Sequence, residues 1–249
     1  MENKNLAAVI LAAGKGARMN TELPKAMLPI NGQPMLKIIV DKVNELAIEP
    51  IIVIVGHKKE VIIDYFSKSS DALSFVTQAK QLGSADALLA AKDQLKDFNG
   101  AIVVLSADVP LITISTLQEF IADFQSKNNI LSLITATVDD PASYGRIIRD
   151  RAGNIKGNVE AKEATSSQLL IDEINSGIYI FDSNFLFETI EEIDNDNRQN
   201  EYYLTDLINI AIDKGEKVGS FKISNSNEIL GANNQLELAK LDRLSKSTN

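Results

Sequence analysis

Gly14, Lys15, Gly16, Arg18 and Lys25 stand close together in "LAAGKGARM" and the "LPKAMLPINGQPML" that follows. Small residues after a buried strand let backbone N–H groups approach an anion. Lys15, Arg18 and Lys25, within eleven residues, add positive charge at the same place. The chemistry this pattern suits is phosphate binding. It is neither of two common phosphate loops. Residue 19 is Met, so the dinucleotide pattern G-x-G-x-x-G fails, and G-x-x-x-x-G-K-[ST] is absent. A tight strand-to-helix turn decorated with surface cations is the competing reading.

The 249 residues are 45% hydrophobic and 24% charged, as in a globular α/β domain, with a net charge of −9. That charge opposes nonspecific binding to nucleic acid or to an anionic membrane. Any phosphate must therefore be held by a few local cations and backbone N–H groups, with a divalent metal as a further option. The chain has no cysteine, which excludes disulfides, zinc thiolates and cysteine nucleophiles. A single histidine, His57, cannot build a multi-histidine metal site, and no catalytic role is expected for it. No apolar run approaches the ~20 residues of a membrane span. Glu2 and the passage from Leu6–Ala13 into Gly14-Lys15-Gly16 do not fit a secretory leader. A cytoplasmic location is expected.

Alternation of apolar runs with amphipathic stretches places these residues. Strands are expected over Leu6–Ala13, Pro50–Gly56, Leu73–Gln78, Gly100–Asp108 and "ILSLITATV". Between them, helices are expected from Met35 to Leu46 behind Pro34, over "KKEVIIDYF", over "SADALLAAKDQL" after Gly83, and over Thr113–Lys127. Strand–helix alternation implies βαβ units, a mostly parallel sheet and right-handed crossovers. The loops after parallel strands then share one mouth, where ligands bind. Further along, "YGRIIRDRAGNIKGNVE" reads as a hairpin, "EINSGIYIFD" as a strand, "EYYLTDLINIAIDKG" as an amphipathic helix ending at Gly215, and "KVGSFKI" as a strand. A last helix is expected from about Ala232 to Lys246.

The glycine-rich stretch, together with "TQAKQLGSADA", "LSADVPLI", "YGRIIRD", "GNVEAKEAT", "EINSGIYIFD", "NDNRQNEYYLTDLI" and "GANNQLELAKLDR", resembles the sugar-nucleotidyltransferases. The likeness spans nearly the whole chain. Within that family it is similar to the uridylyltransferase domain of the bifunctional N-acetylglucosamine-1-phosphate uridylyltransferase/glucosamine-1-phosphate acetyltransferases. The resemblance implies an α/β fold, a Rossmann-like doubly wound mostly parallel sheet with a small β-rich sugar-binding lobe. It implies a nucleotidyltransferase domain over residues 1–229 and a C-terminal helical arm over 230–249. The family continues into a β-helix of hexapeptide repeats. No such repeats occur in these residues, so acetyltransferase activity is expected to be absent, and the oligomeric state does not carry over.

The implied reaction joins UTP and a sugar 1-phosphate, giving a UDP-sugar and pyrophosphate with the help of Mg²⁺. The attacking phosphate oxygen is already anionic, so positioning and electrostatics should suffice. By resemblance, Leu11, Ala12, Ala13 and Gly14 cradle the nucleotide, Arg18 lies on the triphosphate and Lys25 contacts the α-phosphate region. Gln78, Gly83 and Ser84 belong to the base site. Ser106, Ala107, Gly145, Glu160 and Asn175 belong to the sugar site. Asp108 and Asn233 hold the metal. Simpler roles compete: a turn residue for Asp108, a helix cap for Asn233, a hairpin glycine for Gly145, and packing for Tyr202 and Tyr203. Two stretches depart from the family pattern. Ser106-Ala107-Asp108 stands where Tyr-Gly-Asp is common, and Gly83-Ser84-Ala85-Asp86-Ala87 where Gly-Thr-x-His-Ala is common. These bear on the sugar more than on the reaction. Another hexose phosphate, another nucleotide, or a noncatalytic sugar-nucleotide sensor are the rival readings.

Overall fold

Apolar runs bounded by turns become the strands of one main sheet in the computed structural model, which describes residues 5–19 and 21–247. The chain runs β1 (Leu6–Leu11), a two-residue hairpin β2 (Pro29–Ile30) and β3 (Gln33–Pro34), α1 (Met35–Glu45), β4 (Ile51–Val55), α2 (Lys59–Phe66) and β5 (Leu73–Thr77). Then follow α3 (Ser84–Leu89), α4 (Lys92–Leu95), β6 (Ala101–Ser106), α5 (Ile114–Lys127), β7 (Leu131–Thr137), β8 (Arg146–Arg149) and β9 (Ile155–Val159). The last elements are β10 (Glu173–Asp182), α6 (Ser183–Thr189), α7 (Asp206–Asp213), β11 (Val218–Ile223) and α8 (Gln235–Ser247).

The sheet order is β11-β7-β10-β6-β1-β4-β5. Strands β5, β4, β1 and β6 are parallel, and Leu11 pairs with both Ile54 and Ser106. Their C-terminal ends therefore open at one edge. β10 runs antiparallel between β6 and β7, and the β8–β9 hairpin hangs from it as a small lobe. Both faces of β1 are covered. Ala8 and Ile10 pack with α1 and α5 residues such as Leu36 and Phe120, whereas Ala7 and Val9 face Leu88 and Leu207. This is why the strand reads as an unbroken apolar run. A third cluster joins Met19, Leu28, Ile30 and Met35 to Ala232 and Leu241, so α8 packs against the segment that follows the glycine-rich loop. No described helix is long and apolar enough to cross a membrane.

Several sequence expectations need correction. The alanine-rich stretch is two short helices, because Ala91 N–H bonds to Leu88 O at 3.0 Å and turns the chain. Leu88, Ala91 and Leu95 are all buried against the sheet. In "EYYLTDLINIAIDKG" only Asp206–Asp213 is α-helical. Residues 201–205 lie outside α7, and the Tyr202 backbone is committed instead to Leu82 O (2.8 Å) and Ala85 N–H (3.0 Å). β1 stops at Leu11, and β6 stops at Ser106. Helix α6, capped by Asp182, and the β2–β3 hairpin were not anticipated.

Candidate active site

A cavity of about 480 Å³ opens at the C-terminal ends of β1, β5 and β6. Its wall contains Leu11, Ala12, Ala13 and Gly14 after β1, Gln78, Gly83 and Ser84 after β5, and Ser106, Ala107 and Asp108 after β6, together with Lys15 and Lys25. Gly14 has no protein atom within 4 Å of where a Cβ would stand, so a bound group could approach its backbone closely. Gly16 does a different job. It has φ +57°, and a Cβ there would come within 2.8 Å of Lys25 Cβ, so glycine lets the loop fold back against Lys25.

Lys25 is the pivot of the site. Its ammonium pairs with the Asp108 carboxylate and donates to Asn233 Oδ1 at 2.9 Å. These residues come from three segments far apart in sequence. The backbone holds them in place. Ala232 N–H donates to Asp108 O at 3.2 Å, and Gly231 N–H donates to the Tyr144 hydroxyl at 3.0 Å. The cap of α8 is Asn234, whose Oδ1 accepts from Glu237 N–H at 2.9 Å while its amide donates to Glu237 Oε1 at 2.8 Å. Asn233 is thus released from capping and turns its amide oxygen to the cation. Asn234→Ala should lower stability by about 1 kcal/mol, whereas Asn233→Ala should lower turnover with little change in the denaturant midpoint. Equal stability losses in the two variants would contradict this division.

The Asp108 carboxylate and the Asn233 carbonyl already share one cation, the Lys25 ammonium. Hard oxygen donors of this kind suit Mg²⁺, which takes one or two protein ligands and fills the rest of its shell with water and phosphate. Among the described residues no group of three acidic, histidine or cysteine side chains forms an all-protein metal cage. The residues therefore fit a phosphate-bound Mg²⁺ better than a self-contained metal centre.

Gly145, Glu160 and Asn175 do not line this cavity; they meet in the adjoining lobe. Asn175 Nδ2 donates to Asn158 Oδ1 (3.2 Å), Asn158 Nδ2 to Glu160 Oε1 (3.2 Å), and Thr205 Oγ1 to the same oxygen (3.0 Å). A Cβ on Gly145 would reach within 2.7 Å of Asn158 Oδ1 and 3.1 Å of Glu160 Oε1, so glycine keeps this polar row accessible. Ser106 Oγ reaches Gly177 O at 3.5 Å, beside the irregular register of β10 between Asn175 and Tyr179. Asn158, Thr205, Gln81 and Glu201 escaped the sequence reading. Gln81 and Glu201 line the cavity, while Asn158 and Thr205 join the polar row. Asn158 was hidden in a hairpin motif, and Thr205 sat in a stretch read as helix. Arg18 lies on a single helical turn (Ala17–Met19) with its side chain exposed, outside the cavity wall. His57 is exposed on the loop after β4.

Asp206, at the start of α7, is pushed up to about 6 by burial and by the neighbouring charges of Glu160 and Asp194. The native state therefore binds this proton more tightly than the unfolded chain does. Stability should fall as pH rises from 3.8 towards 6, and the full cost should persist above that. After allowance for the partly exposed position, Asp206→Asn should gain roughly 1 kcal/mol at neutral pH. Denaturant midpoints at pH 4 and pH 7.5 check this; a gain that is equal at both would contradict it.

Residues 7–228 match the nucleotidyl transferase family. The chain is 41% identical to the bifunctional protein GlmU of Geotalea daltonii over 239 residues, covering 96% of this chain and 52% of that protein. It is 42% identical to the bifunctional protein GlmU of Acetivibrio thermocellus over 242 residues, covering 97% of this chain and 52% of that protein. It thus spans about half the length of the curated relatives it matches. A UDP-glucose pyrophosphorylase complexed with UDP-glucose superposes with a TM-score of 0.80 at 19% identity, covering 98% of this chain and 99% of that one. That likeness is one of fold. With the matched region running from β1 to beyond β11, the chain belongs to the nucleotidyl transferase family.

Proposed function

We propose that this protein transfers UMP from UTP to N-acetylglucosamine 1-phosphate, releasing pyrophosphate, and that it acts in the cytoplasm on these small molecules. The observation that carries the reading is the meeting of Lys25, Asp108 and Asn233 at the mouth of the parallel strands. A cation and two oxygen donors stand beside a glycine-rich loop, as a metal-bound polyphosphate requires. The sugar-phosphate oxygen attacks the α-phosphorus of UTP. The new P–O bond forms as the bond to the β-phosphate bridge breaks, and the pair of electrons leaves with pyrophosphate. No protein nucleophile or general base is needed. The loop backbone at Leu11–Gly14 orients the triphosphate, and Lys25 offsets charge on the α-phosphate. Arg18, on its exposed turn, would stabilise the leaving pyrophosphate. Asp108 and Asn233 would hold Mg²⁺, which when bound offsets phosphate charge. Gln78 faces the base, and the row Asn158–Glu160–Asn175 receives the sugar hydroxyls and acetamide.

Pyrophosphate release from UTP and N-acetylglucosamine 1-phosphate with Mg²⁺ tests the reading, alongside a panel of hexose phosphates and nucleotides. Equal yields of pyrophosphate and UDP-N-acetylglucosamine are expected. A different preferred sugar would point to the second reading, favoured by Ala107 in the cavity wall. Tight UDP-sugar binding without turnover on any pair would leave a sensor and overturn the enzyme.

A further inference from the structure

Gln78 lines the cavity yet is only 5% exposed. A side-chain amide can face either way, and its neighbours decide which. Here Nε2 donates to Gly83 O at 3.0 Å and to Asp86 Oδ2 at 2.7 Å. A peptide carbonyl accepts only, and so does an ionised carboxylate, so both amide hydrogens are directed at them. Oε1 must then point the other way, and no described donor reaches it. The Gly83 carbonyl is a weak guide because it also accepts from Ala87 N–H at 3.2 Å. The Asp86 bond is shorter and charge-assisted, hence the stronger of the two. Asp86 sits in the first turn of α3, where a carboxylate is also favoured by the helix dipole.

We infer that Asp86 is a positioning residue for base selection: it locks the Gln78 amide so that Oε1, an acceptor, faces the base. Such a site takes a base that offers an N–H at that point. Uracil carries hydrogen on N3, whereas cytosine presents a lone pair there and would be repelled. Asp86 need not touch the nucleotide to do this. The inference rests on the reading of Gln78 as a base contact.

Calorimetric titration of the full chain with UTP and with CTP, in the presence of Mg²⁺, tests it without requiring turnover. The wild type should prefer UTP. Asp86→Ala should narrow the UTP-to-CTP affinity ratio about tenfold, while the KM for sugar phosphate stays the same. Asp86→Asn retains an oxygen that can accept from Nε2, so it should keep most of the ratio. An unchanged ratio in Asp86→Ala, or a parallel loss for both nucleotides, would overturn the role of Asp86 and leave the base site standing. A wild type that binds no uridine nucleotide would instead remove the base-site reading and this inference together.

Discussion

Asp108→Asn should lower turnover by about 10²–10³-fold, the scale seen when one preorganised electrostatic group is removed from a transition state. Its fold should survive. Asp108 follows β6, and the backbone contact with Ala232 that locates it involves its carbonyl, which the substitution leaves in place. The side chain is 25% exposed, so the loss of its pairing with Lys25 costs about 1 kcal/mol, a shift of only a few degrees in Tm. Pyrophosphate release and thermal denaturation, measured on the same preparation, separate the two effects. Unchanged turnover would remove Asp108 from the reacting centre. A collapse in Tm would make it a structural ion pair.

Gly83→Ala should be the most damaging small substitution near the cavity. At φ +131° the backbone is in a region nearly closed to side chains. A Cβ there would also stand 2.3 Å from Tyr202 O and 2.6 Å from Tyr202 N, and backbone atoms cannot step aside as a side-chain tip can. Strain and overlap together should cost about 3 kcal/mol. The Tyr202 segment is pinned to this loop by Leu82 O and Ala85 N–H, and Ser84 Oγ accepts from Leu204 N–H at 3.0 Å. Loosening that junction should also raise the KM for nucleotide. Gly153→Ala is the control. It has φ +88° but no atom within 4 Å of the added Cβ, so it should cost only about 1 kcal/mol. Equal losses in urea titrations of the two variants would show that backbone strain alone, not the contact with Tyr202, sets the requirement for glycine.

Much of the frame was legible because its signals are local. A strand buried on both faces must be apolar throughout, and β1, β4 and β6 announce themselves that way. The β2–β3 hairpin was missed although Asn31-Gly32, both at positive φ in the structure, is a turn dipeptide, because two-residue strands leave no periodicity to notice. The failures differ in cause. The helical patterning of residues 84–95 is interrupted by a local tightening at Ala91, whose N–H bonds to Leu88 O, whereas in residues 201–205 the Tyr202 backbone is claimed by Leu82 O and Ala85 N–H from a distant part of the chain. Local propensity loses when tertiary hydrogen bonds compete for the same N–H and C=O groups.

The site divides in the same way. Residue types and spacing were enough to place a glycine-rich loop bearing cations at the end of a buried strand, because chain geometry puts consecutive residues on one turn. The division of labour between Asn233 and Asn234 was not contained in "GANNQ", since either asparagine could cap a helix. Packing of α8 against Met19 and Ile30, and the bond from Ala232 to Asp108, settle which one turns towards Lys25. The orientation of the Gln78 amide, too, depends on Asp86 and Gly83, and Asp86 reaches it only once α3 is formed and packed on the sheet. Sequence specifies groups that lie within a turn of one another; the direction in which a polar atom points is a property of the neighbours that surround it.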